Sequence, residues 1–312
     1  MAGLLVLSQD EVKSLLDLDR LRTAVAEALS QSSGGTCSIP PRIAAFTGAG
    51  LLAAMPGYLP DSTLAVKLVS VFPHNHTHGL PSHQGMIVLF DPETGSPLAL
   101  MDGTYITAVR TAAASAVAAE TLARPDSRVI AILGAGVQGA THLEALSRVF
   151  GFQEIRIASR HTEHAHALAN GHDVAHAVSF EEAVRSADII CCCTDARDPV
   201  IQRDWVRAGA HVGSVGTGAE IDPQTIAGGS IFVEWRGAVK NPPPAGAIEL
   251  QGMDSDTVTE IGEVLNGTRP GRTSPEQITV YKSTGHAVED AAAAGLVYDA
   301  ATRASIGATI TI

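Results

Sequence analysis

The chain has 312 residues, of which 45% are hydrophobic, 17% charged and 4% aromatic, with a formal net charge of −12. This is a globular composition long enough for two domains, and its acidity argues against nucleic acid or an anionic membrane surface as a partner. No apolar run approaches the length of a membrane-spanning helix, and Leu4-Leu5-Val6-Leu7 is too short for a signal-peptide core and has no basic leader.

Ser8-Gln9-Asp10-Glu11 reads as a capping box, in which hydroxyl and carboxylate exchange hydrogen bonds with the first backbone N–H groups of a helix. Residues 1–35 therefore predict a short strand and a helix, broken at Gly34-Gly35. From Ile39 to Phe90 the pattern turns to strands and loops, with the run from Thr63 to Val71 the clearest strand. His74, His76, His78 and His83 alternate in a loop where zinc binding is conceivable, but no cysteine or carboxylate lies among them and no metal is expected. Met86 to Phe90 and Pro97 to Met101 flank Asp91-Pro92-Glu93-Thr94-Gly95, whose residues suit a hairpin turn. Asp102-Gly103 precedes an alanine-rich helix from about Thr104 to Ala123, stopped by Pro125.

The most informative run follows, Val129-Ile130-Ala131-Ile132-Leu133-Gly134-Ala135-Gly136-Val137-Gln138-Gly139. A buried strand here feeds a Gly-x-Gly-x-x-Gly turn and then a helix, the fingerprint of dinucleotide binding. The glycines allow the turn, the approach of a pyrophosphate and the packing of helix on strand, while the helix N-terminus offers unpaired N–H groups. A second strand, Glu154 to Ala158, ends in Ser159, Arg160 and His161. An NAD-selective site usually carries an acid about twenty residues beyond the glycines. A hydroxyl, a guanidinium and an imidazole suit a 2′-phosphate instead, so NADP(H) is the preferred cofactor and NAD(H) the alternative. Arg160 as a merely solvated loop residue stays open at this level.

Strands at about 129–133, 154–158, 174–178, 188–193, 211–215 and 230–234 alternate with helical patterns, as in a doubly wound, Rossmann-type parallel sheet. A last strand, Ile278 to Tyr281, leads through Lys282-Ser283-Thr284-Gly285 into a helix reaching about Arg303. The expected fold is α/β, with the nucleotide domain at 119–291. A discontinuous α+β domain for substrate and dimerisation would be formed by 1–118 with 292–312. Cys191, Cys192 and Cys193 extend an apolar run and read as small residues of a buried strand, since neighbours on a strand face opposite ways. Free thiols of this kind make a reducing cytoplasm the expected compartment.

Several ordered blocks together resemble the ornithine cyclodeaminase and mu-crystallin family over nearly the whole chain. They are Met55-Pro56-Gly57-Tyr58, the strand around Lys67 into Val71-Phe72-Pro73, Asp91 through Gly95, and Met101-Asp102-Gly103. Arg110-Thr111-Ala112-Ala113, the glycine turn, and Tyr281 through Gly285 with Glu289-Asp290 complete the set. The resemblance implies a homodimer built through the sheet-rich domain. It makes Arg42 and Arg110 the binders of a substrate carboxylate and Lys67 the active-site lysine. It assigns Ser82, Thr111, Val137, Gln138, Thr194, Val215, Gly216 and Ser283 to the cofactor, beside Gly134, Gly136 and Gly139. Lys67 stands in an apolar strand, where an ammonium must reach water, find a carboxylate or accept a lowered pKa. An edge-strand lysine facing water, and a surface ion pair for Arg110, remain open readings.

Cyclodeaminases of the family carry an aspartate shortly after an Ala-Val-Gly-like segment, followed by Pro-Gly-Lys and a glutamate. This chain has Ser214-Val215-Gly216-Thr217-Gly218-Ala219-Glu220, with Gly218 about where the acid is expected and Glu220 matching the later glutamate. The expected activity is therefore NADPH-dependent reduction of small cyclic imine carboxylates, such as pyrroline-2-carboxylate to proline or piperideine-2-carboxylate to pipecolate. Ornithine cyclodeamination, an alanine-type amino-acid dehydrogenase and a non-catalytic, NADPH-binding crystallin are the alternatives.

Overall fold

The computed structural model describes residues 3–60, 63–194 and 196–311, with the side chain of His76 outside that description. The chain divides into two compact units, 1–110 with 286–312 and 111–285. Each is described by itself.

The first unit opens with β1 (Leu4–Leu7), α1 (Gln9–Leu15) and α2 (Leu18–Ser33). The capping box at Ser8 and Glu11 forms as expected. One helix was expected in this stretch and two are found. Leu16 leaves α1 in an extended conformation, and the Asp17 side chain accepts from the N–H groups of Asp19 and Arg20, starting a new helix. Five antiparallel strands follow: β2 (Ile43–Phe46), β3 (Leu51–Leu59), β4 (Thr63–Val71), β5 (His83–Phe90) and β6 (Pro97–Asp102). β5 starts three residues earlier than its apolar run, because His83, Gln84 and Gly85 continue the pairing with β4. In the expected turn, Asp91 accepts from the N–H groups of Glu93 and Thr94. α3 (Thr104–Leu122) then leads out, and the division between units falls within it.

The second unit alternates strand and helix: β7 (Val129–Leu133), α4 (Val137–Ser147), β8 (Glu154–Ala158), α5 (Thr162–Ala169), β9 (Ala175–Ala177), α6 (Phe180–Val184) and β10 (Ile189–Cys192). It continues through β11 (His211–Val215), α7 (Pro223–Gly228), β12 (Ser230–Val233), α8 (Gly237–Lys240), β13 (Thr259–Glu260), α9 (Ile261–Leu265) and β14 (Thr279–Ser283). All these strands pair in parallel, in the order β13-β12-β14-β11-β10-β7-β8-β9. The order in which strands are added reverses between β7 and β10, which is the switch point where such sheets open a crevice at the carboxyl ends of their strands. The central strands β7 and β10 are apolar throughout because both faces are covered. Cys191 and Cys193 join the core on one face with Ile130, Ile132 and Leu143, while Cys192 joins the other with Ala131, Leu133 and Val212. The expected strand reading holds for Cys191 and Cys192, while Cys193 is buried one residue past the end of β10.

The chain then returns to the first unit through α10 (Ala287–Ala304) and β15 (Ala308–Ile310). The finished sheet there runs β15-β1-β6-β5-β4-β3-β2. α10 packs on β3, β4 and β5, with α2 against it. Strict alternation follows: Ala53, Met55, Ala65, Lys67, Ile87 and Leu89 are buried. Their neighbours Leu52, Ala54, Pro56, Val66, Leu68, Met86 and Val88 stay partly or fully exposed on the opposite face. Among the described residues no helix is long and apolar enough to cross a membrane.

Candidate active site

In the nucleotide unit, the expected cofactor residues gather at the carboxyl edge of the parallel sheet. The glycine turn leaves β7, Ser159 to His161 leave β8, Thr194 leaves β10, Val215 and Gly216 end β11, and Ser283 ends β14. The three glycines differ in their surroundings. Gly134 has φ +106°, and a Cβ there would strike the Cys193 carbonyl oxygen at 2.5 Å. A Cβ on Gly139 would collide with the Gly134 carbonyl. At Gly136, by contrast, a Cβ would meet no atom within 4 Å, although this residue caps α4 without a side-chain hydrogen bond. Two glycines are thus required by the protein itself, while the third borders open space before the N–H groups of α4. A phosphate-bearing dinucleotide fits that arrangement. Gln138 Oε1 is buried without a hydrogen-bond partner among the described residues, leaving a polar atom beside the same turn for a ligand.

Two of the expected cofactor hydroxyls are engaged within the protein. Thr194 donates through its N–H (2.6 Å) and its hydroxyl (2.5 Å) to Glu220 Oε1. Ser283 donates its hydroxyl to Glu234, whose other oxygen accepts from the N–H groups of Thr284 (3.0 Å) and Gly285 (2.9 Å). The hydroxyl protons of Thr194 and Ser283 are therefore committed, and these hydroxyls can meet a cofactor only as acceptors. Thr111 is buried on α3, Val137 is exposed at the start of α4, and Arg160 and His161 are exposed. Ser82 belongs to the first unit, where its hydroxyl lies 3.1 Å from His83 Nδ1.

Sequence reasoning missed a second polar chain in this unit. Lys282, fully buried on β14, lies 2.7 Å from Glu249 and donates to Ser214 Oγ at 2.7 Å. Ser214 in turn donates to Glu220 Oε2 at 2.6 Å. The loop after β11 is therefore tied to β10, β11 and β14 by charge-assisted bonds. A lysine inside an apolar strand was the available signal, but its partners lie far away in sequence.

The first unit brings Lys67 and Arg110 together. Lys67 is 2% exposed at the centre of β4, with Met55 and Ile87 opposite on the flanking strands. It is an interior-strand lysine, not an edge lysine facing water. Its Nζ lies 2.9 Å from Oδ1 and 2.8 Å from Oδ2 of Asp290. Arg110, equally buried, places Nε 3.0 Å from Asp290 Oδ1 and Nη1 2.5 Å from Glu289 Oε2. The surface ion pair considered for Arg110 is thereby replaced by a buried one. Arg42 is half-buried just before β2 and acts electrostatically on both Lys67 and Asp290.

Electrostatics follow from that packing. Burial, then the charge of Arg110, pulls the Lys67 amine down to about 8, with Asp290 opposing and Arg42 adding to the fall. Burial alone would raise the Asp290 carboxyl, but Arg110 and Lys67 outweigh it and hold it below its ordinary value. Asp290 and Glu289 stand in the first turn of α10, where the helix dipole favours anions. Their role was not legible beforehand, although two adjacent acids opening an alanine-rich helix are unusual enough to mark the place. The cluster can bind an organic acid and hold a proton near neutrality.

Three similarities bear on this site. The chain is 39% identical to the ketimine reductase mu-crystallin of Rattus norvegicus over 307 residues, covering 94% of this chain and 96% of that protein. Its fold matches the Thermococcus litoralis Delta(1)-pyrroline-2-carboxylate reductase, solved with NADH and L-proline, at 35% identity and a TM-score of 0.93. That match covers 98% of this chain and 100% of the other. An archaeal alanine dehydrogenase dimer with bound NAD matches at 34% identity and a TM-score of 0.91, over 100% of both chains. The family model for ornithine cyclodeaminase and mu-crystallin spans residues 4–305, and the chain belongs to that family.

Proposed function

We propose that this protein is an NADPH-dependent oxidoreductase that reduces the C=N bond of small cyclic imine carboxylates, with pyrroline-2-carboxylate and piperideine-2-carboxylate as the leading substrates. The observation that carries the reading is the buried pair of cations, Lys67 and Arg110, with Arg42 nearby, in a family member that also carries a dinucleotide turn. When bound, the dinucleotide supplies the hydride. Arg42 and Arg110 bind the substrate carboxylate and so fix the orientation of its neighbouring C=N carbon. Lys67, able to exchange a proton close to neutral pH, keeps the imine nitrogen protonated directly or through water.

The finer choices have their own support. For NADPH over NADH it is the end of β8, where Ser159, Arg160 and His161 stand in place of an acid. Against a diamine substrate it is the loop after β11. A side chain at Gly218 would press on the Ala196 carbonyl at 2.7 Å, and Glu220 and Glu249 are committed to Thr194, Ser214 and Lys282. A distal ammonium would find no carboxylate there. For a homodimer it is the apolar outer face of the first unit's sheet, broad enough to need a cover. The cytoplasm suits the four free cysteines. The likeness to the archaeal alanine dehydrogenase favours amination of a keto acid as the second reading.

The test is oxidation of NADPH and NADH by the purified protein with a panel of cyclic imine carboxylates, with pyruvate plus ammonia, and with ornithine as contrast. Fast turnover of a cyclic imine with NADPH is expected, abolished in Lys67→Ala while NADPH binding persists. Turnover with pyruvate and ammonia alone would establish the second reading. Cofactor binding without any turnover would leave a crystallin-like binding protein.

A further inference from the structure

We propose that Asp290 is the positioning residue of the acid-binding cluster, holding Lys67 in its ammonium form and locking Lys67 and Arg110 into one rigid unit for the substrate carboxylate. The inference rests on the reading of those two cations as substrate groups.

Charge and geometry both lead there. Burial in an interior strand, among apolar neighbours on β3 and β5, and the guanidinium groups of Arg110 and Arg42 all favour the neutral form of the Lys67 amine. Asp290 is the opposing anion, with both oxygens within 2.9 Å of Nζ. The neighbouring acid, Glu289, pairs with Arg110. Asp290 also receives Arg110 Nε on Oδ1, the oxygen that accepts from Lys67. One carboxylate therefore sets the spacing of a cation from β4 and a cation from α3. An ammonium has three donors, so Lys67 can serve Asp290 and still offer a proton to a bound acid. The pairs Lys67 with Asp290 and Arg110 with Glu289 cancel in charge. A substrate anion then meets two cations already oriented.

Asp290→Asn keeps the shape and one acceptor oxygen but removes the charge. With lysine labelled at 13Cε, the Lys67 resonance should titrate at least one pH unit lower in this variant than in the unaltered protein. The descending limb of the kcat/KM profile for the imine acid should move down by the same amount. The rate at about pH 7.5 then falls roughly threefold or more and recovers on acidification, while the Kd for NADPH stays within about twofold. A Lys67 midpoint and a pH limb that both stay in place overturn the proposal. Should Asp290→Asn fail to fold, Asp290→Glu restores the charge on a longer arm. It should keep the limb in place and raise KM severalfold, and an unchanged KM overturns the positioning role. If the unaltered protein reduces no imine acid at all, the proposed function fails, and the Lys67 titration still decides whether Asp290 holds the proton.

Discussion

Gly136 and Gly139 stand three residues apart in one turn, and alanine at each should produce opposite phenotypes. At Gly136 the backbone is extended, with φ −90° and ψ −163°, and an added Cβ touches nothing. The cost to the free protein is that of replacing glycine by alanine at a helix cap, roughly 1 kcal/mol or less. The same methyl projects into the space before the first N–H groups of α4. Loss of one or two charge-assisted bonds to a pyrophosphate, at about 1.5–3 kcal/mol each, weakens the dinucleotide, NADPH in the reading proposed above, by roughly one to four orders of magnitude in Kd. At Gly139 the Cβ collides with the backbone of Gly134 inside the protein. Overpacking of that kind costs about 1–3 kcal/mol or more, and Tm falls by roughly 2–4 °C for each kcal/mol in a unit of this size. Thermal melts without cofactor, beside fluorescence titration with NADPH, separate the two effects. A Gly136→Ala protein that binds NADPH as tightly as the unaltered one would refute the assignment of the open side of the turn to phosphate.

Two further outcomes are expected. Burial pulls the His142 imidazole down to about 4, and burial followed by the charge of Arg272 pulls His211 to about 3. Both stay neutral in the folded protein while the unfolded chain takes up protons near pH 6.5. Their contribution to stability is thus complete above that pH and lost as pH falls toward 4. For His142 alone the loss is about 3 kcal/mol, and urea midpoints that stay flat between pH 6.5 and 4 would contradict it. Second, Leu68→Glu places a charge on the exposed sheet face without touching the buried one. Light scattering should show the proposed homodimer in the unaltered protein and a shift toward monomer in the variant; a variant that stays dimeric would move the interface elsewhere, and a monomeric unaltered protein would refute the dimer.

Much of the fold was readable because buried parallel strands leave little ambiguity. Val129–Leu133, Glu154–Ala158 and His211–Val215 fall where their apolar runs predict, and Thr63–Val71 does so from alternation. Local chemistry fixed the first helix through Ser8 and Glu11. What escaped was decided by partners remote in the chain. Whether Lys67 faced water depended on which strands flank β4, and only the assembled sheet answers that. Asp290 lies 223 residues from Lys67 and 180 from Arg110, beyond the reach of any periodicity. The chain from Lys282 through Ser214 to Glu220 was hidden for the same reason. The split between α1 and α2 was missed for a local reason, because Asp17 caps a second helix inside a stretch for which a single helix was expected.

The route of the polypeptide also bears on its synthesis. Lys67 and Arg110 emerge from the ribosome long before Glu289 and Asp290, with the whole second unit translated between them. At about 5–20 residues per second, the 180 residues separating Arg110 from Asp290 take roughly 10–40 s. During that interval β4 carries a lysine whose counter-ion does not yet exist, so the strand cannot be buried without an uncompensated charge. The nucleotide-binding half can settle while it is being made, whereas the acid-binding half must wait for the return of α10. Messages truncated before codon 289 should therefore yield a nascent product with a soundly folded middle and an aggregation-prone front.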